Sequence, residues 1–194
     1  TEENAHPHID EASKIAVVHN GIIENFKELK EELLQQGHIF KSQTDSEVIV
    51  HLLDEYCKTS TFEEAAKKTL NRLKGRYSIL AIKAEEQKII AARRGSPLII
   101  GVGENEFFIA SDIPAFLSHT RKVMYLDDNE MVVISDKPVF YRLDTQTPIE
   151  KRIVEIDWAE ESAEKGHFKH FMMKEIMEQK ETIYRAINQD EKDI

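Results

Sequence analysis

At Gly75 the hydrophobic pattern of this chain changes period, and that change limits the folds open to it. Before it, apolar residues recur at helical spacing; after it, they come in short runs of strand length. Phe26, Leu29, Leu33 and Leu34 mark a first helix, stopped by Gly37. Asn25 with Glu28, and Thr44 with Glu47, each fit a capping box. A second helix carries Val48, Ile49, Leu52, Leu53 and Tyr56 and runs to about Cys57, and a third spans Phe62 to Leu73. A short strand is expected at Ile39-Phe40 between the first two. Strands are predicted at Lys14–Val18, Tyr77–Ile82, Lys88–Arg93, Leu98–Val102, Glu106–Ala110, Val123–Leu126, Glu130–Ile134, Val139–Arg142 and Ile149–Ile156. Ile113–Leu117 reads as a short helix, and Thr1–Glu11 as loop. Phe168 to about Ile187 reads as a last helix bearing Phe171, Ile176, Ile183 and Ile187, followed by a charged tail, Gln189–Ile194. Helices first and closely spaced antiparallel strands later define an α+β layered fold.

Composition narrows the partners. The net charge is −10, from 36 acidic against 26 basic residues, which is the wrong sign for a nucleic-acid-binding face. Small anionic ligands stay open, because local donors can hold them. No apolar run approaches the roughly 20 residues of a membrane span, and no signal segment begins the chain. Cys57 is the one cysteine, so no internal disulfide forms. A reducing, cytoplasmic setting is expected, without membrane or nucleic acid.

Chemistry concentrates at His19-Asn20-Gly21, which follows the apolar run Lys14–Val18. The Asn amide and the Gly backbone N–H are neighbouring donors that can hold the oxyanion of an acyl-transfer intermediate. On the tripeptide alone, a tight turn is the favoured reading. Two more segments bear on it: Asn4-Ala5-His6-Pro7-His8, and Ser42-Gln43-Thr44-Asp45-Ser46-Glu47-Val48-Ile49. With His19–Asn25, their order and spacing resemble the glutaminase domain of the glutamine–fructose-6-phosphate aminotransferases, a family of class II glutamine amidotransferases. The resemblance continues through Ala92–Leu98, Ile109–Asp112 and His170–Ile176.

That resemblance implies an N-terminal-nucleophile hydrolase type of four-layer sandwich, helices outside two antiparallel sheets, here lacking the first strand or strands. It implies a glutaminase domain over residues 1–167, and a helical segment over 168–194 leading toward a sugar isomerase domain absent from this chain. It implies hydrolysis of glutamine to glutamate and ammonia for glucosamine-6-phosphate synthesis, no cofactor, no metal, and a homodimer in the intact protein. By the same resemblance, Asn20 and Gly21 match the oxyanion hole, and Asp45 matches the carboxylate that holds the α-amino group of glutamine. On position alone, Asp45 after Thr44 also fits favourable contact with a helix N-terminus. Amidophosphoribosyltransferase and asparagine synthetase share this domain type, and a non-catalytic regulatory module of the same fold is a further alternative.

The sequence departs from the family at its start. The nucleophilic N-terminal cysteine is missing, as is the Arg-Trp-Ala-Thr-His-Gly segment whose arginine binds the glutamine carboxylate. The chain therefore reads as a fragment, inactive as given. Thr1 lacks the apolar strand that would hold it as a nucleophile. Cys57, at a helix end, reads as small core filler. His6 and His8 lack a third ligand nearby and read as loop packing. Gly101-Val102-Gly103-Glu104 lies between strands, so it fails as a phosphate loop. Arg93-Arg94 reads as a turn with exposed charge.

Overall fold

Burial along Ile15–Ile23 sets the frame of the fold. Ile15, Val17, His19 and Ile23 are buried on one face, while Val18, Asn20 and Ile22 are exposed on the other. This strand is β2 in a computed structural model that describes residues 1–157, 168 and 170–187. It lies second in a seven-stranded antiparallel sheet, ordered β1 (His8–Ile9), β2, β3 (Gly75–Lys83), β4 (Ile89–Arg94), β8 (Glu130–Ile134), β9 (Pro138–Arg142) and β10 (Pro148–Ile149). A second antiparallel sheet runs β11 (Val154–Glu155), β7 (Lys122–Tyr125), β5 (Ile99–Val102) and β6 (Phe107–Ala110).

Helices α1 (Phe26–Gln35), α2 (Glu47–Cys57) and α3 (Phe62–Arg72) cover one face of the larger sheet. Leu29, Leu33, Val48, Leu53, Phe62 and Leu70 meet Ile15, Val17, Ile79, Ile90, Met131 and Val133 there. Each such apolar side chain contributes roughly 1.5–3 kcal/mol on burial. The residues between them point the other way. Ala91, Val132, Ile134 and Phe140 pack on Leu98, Ile100 and Leu126, which forms a second core between the sheets. The result is the expected α+β class, two antiparallel sheets flanked by helices.

Four local expectations need correction. Ile39-Phe40 forms no strand. Carboxylates take the backbone donors there: Ile39 N–H donates to Glu11, and Lys41 and Ser42 N–H donate to Glu47. That use of Glu47 also removes the capping box expected with Thr44, since α2 starts at Glu47 behind Ser46 with no side-chain cap. Asn25 does stand at the N-cap of α1, but its amide bonds Arg72 O and Lys74 N instead of its own helix. The run Ile149–Ile156 is two short strands in different sheets. By contrast, Gly37 stops α1 as expected. It adopts φ +96°, and the N–H groups of Gly37 and His38 bond Leu34 O and Leu33 O.

Ile113–Leu117 supplies only a single 3₁₀ turn, Ile113–Ala115, followed by Phe116 packed on Gly101. Residues Thr1–Ile156 form one unit and Asp157–Ile194 another. In the second, the predicted helix is α4 (Phe171–Ile187), three residues shorter at its start. The expected boundary at residue 167 and the tail Gln189–Ile194 lie outside the described residues. No described helix is long and apolar enough to cross a membrane.

Candidate functional site

Asn20 and Gly21 are not in a turn. Strand β2 continues through them to Ile23 and pairs along its whole length with β3, Asn20 opposite Ser78 and Gly21 opposite Tyr77. In the same register Glu24 N donates to Lys74 O, and Ala84 N donates to Lys14 O. Hydrogen-bonded and open pairs alternate in an antiparallel ladder, so the even positions of β2 bond β3. Gly21 and Ile23 therefore direct their N–H groups to the other edge of β2. The neighbour on that edge, β1, pairs only with Ala16 and Val17, and leaves this stretch uncovered.

One of these outward donors has a partner. Ile23 N–H donates to Asp45 Oδ2 at 2.6 Å. Asp45, half-buried in the turn before α2, is thereby fixed two residues beyond Gly21 on the same strand edge. Its other oxygen accepts no hydrogen bond from a described residue. The exposed Asn20 side chain likewise bonds no described residue. One free backbone donor and one carboxylate thus share the edge, and the Asn20 amide stands free on the adjoining sheet face.

The surrounding contacts hold this arrangement rigid. His19 Nδ1 lies 2.8 Å from Ser46 Oγ, a second rung between β2 and the start of α2. His8 Nε2 lies 3.0 Å from Thr44 Oγ1, His6 Nε2 3.5 Å from Ser46 Oγ, and Gln43 N donates to Asn4 Oδ1 at 3.0 Å. The three segments singled out in the sequence, Asn4–His8, His19–Asn25 and Ser42–Ile49, therefore converge on one place. His19 and Ser46 were missed as supports, although both lie inside those segments.

Burial lowers the pKa of His19 to about 4 against the opposing charge of Asp45, with His6 and His8 lowering it further. Burial, with His6 beside it, also lowers that of His8. Both rings are neutral at pH 7, so they add no positive charge that would compete for Asp45. A cavity of about 250 Å³ opens beside Asn20 and His19, between Ser78 and Leu80 on one sheet and Ile109–Ser111 on the other.

The remaining candidates separate from this site. Cys57 ends α2, where burial raises its thiol pKa and keeps it protonated. Thr1 is exposed ahead of a 3₁₀ turn, Glu2–Asn4. Arg93 and Arg94 are not free turn charges. They close β4 and are held by Asp128 at 2.7 Å and Asn129 at 2.6 Å. Gly101 and Gly103 belong to the β5–β6 hairpin, as their failed phosphate-loop context requires.

A glutamine amidotransferase domain family matches residues 1–118 of the chain. Among curated proteins, the chain is similar to the glutamine–fructose-6-phosphate aminotransferase (isomerizing) of Thermococcus kodakarensis, 52% identical over 188 residues, 95% of this chain and 31% of the relative. The enzyme of that name from Methanothermobacter thermautotrophicus is 51% identical over 94% of this chain and 31% of its own length. The chain thus spans about a third of the curated relatives it matches. Among solved structures, the B. subtilis glutamine phosphoribosylpyrophosphate amidotransferase, complexed with ADP and GMP, superposes with a TM-score of 0.63 at 30% identity. It covers 74% of this chain and 32% of its own.

Proposed function

This chain belongs to the glutamine amidotransferase domain family, and from that premise we propose that it is the glutamine-handling part of an aminotransferase that makes glucosamine 6-phosphate. The observation that carries the reading is the end of β2, with Gly21 N–H free on its edge, the Asn20 amide free on the adjoining face, and the Asp45 carboxylate pinned to Ile23. In the proposed reaction a nucleophile adds to the side-chain amide of glutamine. The carbonyl oxygen becomes an oxyanion, which Asn20 and Gly21 hold. Asp45 takes the α-ammonium of glutamine through its oxygen not used by Ile23, which sets the distance between substrate and donors. Collapse releases ammonia, and water then releases glutamate.

The nucleophile is the family's N-terminal cysteine, because the one cysteine here, Cys57, is a protonated thiol at the end of a helix. Ammonia transfer to a sugar phosphate in an isomerase domain, a homodimer and a cytoplasmic setting belong to the same proposal, supported by the similarity to the archaeal aminotransferases.

The test measures glutamate release by a form of the protein that carries the family's N-terminal cysteine segment. Asn20→Ala is expected to lower turnover about 10²–10³-fold. Asp45→Asn is expected to raise KM for glutamine about 10–100-fold, the worth of one charged hydrogen bond. Near-normal turnover in the first variant and an unchanged KM in the second would overturn the assignment. Glucosamine 6-phosphate as the product, rather than a phosphoribosylamine, tests the acceptor.

A further inference from the structure

A second group of polar side chains lies outside the edge of β2, and no part of the proposed reaction uses it. Glu11 comes from the β1–β2 connection, His38 from the residue after the Gly37 stop, and His51 from the middle of α2. One ligand atom of each lies within 4.8 Å of the other two. We propose that Glu11, His38 and His51 bind a divalent transition-metal ion, zinc by preference.

Burial is the first argument. His51 is 1% exposed; its Nδ1 is buried with no hydrogen-bond partner, and its Nε2 meets only Glu47 Oε1 at 3.5 Å. Buried polar atoms are nearly always satisfied, so the unpartnered Nδ1 calls for a ligand. The second argument is how His38 is held. Its Nε2 lies 3.0 Å from Glu55 Oε2, which leaves Nδ1 facing Glu11 Oε1 at 3.9 Å and Asp54 Oδ2 at 3.9 Å. A carboxylate on the far nitrogen of a histidine is the usual support of a metal-binding imidazole. His51 has the same kind of neighbour, with Nε2 3.5 Å from Glu47 Oε1.

Donor chemistry then selects the ion. Two imidazoles and a carboxylate suit zinc and its transition-metal neighbours, whereas calcium and magnesium favour oxygen alone. Three protein ligands with a fourth position for water or Asp54 match zinc coordination. Ligands about 2.0–2.1 Å from zinc stand roughly 3.4 Å apart in a tetrahedron, so atoms that now lie within 4.8 Å of one another reach that spacing by side-chain rotation, with His38 Nδ1 and Glu11 Oε1 already at 3.9 Å. The three residues come from three consecutive segments, so an ion would clip the β1–β2 connection and the end of α1 to α2.

The test is titration of the purified chain with Co²⁺, followed by Zn²⁺. Saturation at one equivalent with the visible absorption of a tetrahedral cobalt site, displaced by Zn²⁺, is expected, together with a higher Tm in Zn²⁺. Glu11→Gln and His38→Gln, checked for folding by circular dichroism, should abolish that absorption. Glu55→Gln should weaken binding about 10–100-fold while leaving the spectrum unchanged. No saturable cobalt binding overturns the proposal. So does cobalt binding that survives both Glu11→Gln and His38→Gln, or that is lost only on substitution of His6 and His8.

Discussion

A methyl group built on Gly21 would sit 2.1 Å from Arg76 O and 2.8 Å from Tyr77 Cα, both fixed backbone of the neighbouring strand. Gly21 also has φ +135°, which L side chains rarely adopt. Glycine is therefore required twice over, by space and by backbone geometry. Gly21→Ala is expected to destabilise the domain by at least about 1–3 kcal/mol, measured by urea unfolding, because β2 must move away from β3. Asn20 differs, since its exposed side chain bonds nothing described and is free to meet a ligand. At this scale the residue types were legible in sequence, but the Asn-Gly pair fitted a turn as well as a strand. Only the register with Ser78 and Tyr77 decides between them, and register is a long-range property.

Among the elements, sequence patterning served best where the signal is local. The three apolar helical faces and the strands after Gly75 depend on neighbours a few residues away, and they form close to where they were expected. Caps fared worse, because a polar side chain near a helix start can bond something else. Asn25 and Glu47 do so, while Thr61 and Glu64 form the reciprocal capping box, on α3. Thr61→Ala should cost about 1 kcal/mol in urea unfolding, the usual worth of such a cap. Thr44→Ala should cost α2 no cap, since the Thr44 hydroxyl faces Ser42 and His8. A loss of helix in Thr44→Ala matching that in Thr61→Ala would contradict this assignment.

Across the whole domain the buried histidines tie stability to pH. Unfolded His19 takes up a proton near its ordinary pKa of 6.5, folded His19 only near 4. Between those values the unfolded state binds more protons, so stability falls as pH falls. His8 and His51, whose pKa values are also lowered, act in the same direction below 6.5. Glu47 is held below its ordinary 4.5: burial acts to raise it, but hydrogen bonds from Lys41 and Ser42 prevail, and this extends the loss to lower pH. Unfolding in urea at pH 7 and at pH 4.5 should reveal a decline, with on the order of 3 kcal/mol from His19 when fully expressed. In His19→Gln that part of the decline should vanish, and an identical pH slope in the variant would refute the assignment. The order of helices and strands, the α+β class and the three motif segments were determined by the sequence itself, because hydrophobic period and residue type are local. The tertiary structure alone decided that Asn20 and Gly21 lie within a strand, that Asp45 reaches the edge of that strand, and that Glu11, His38 and His51 meet. These depend on strand register and on contacts between residues distant in the chain, which packing fixes only once the sheets and helices come together.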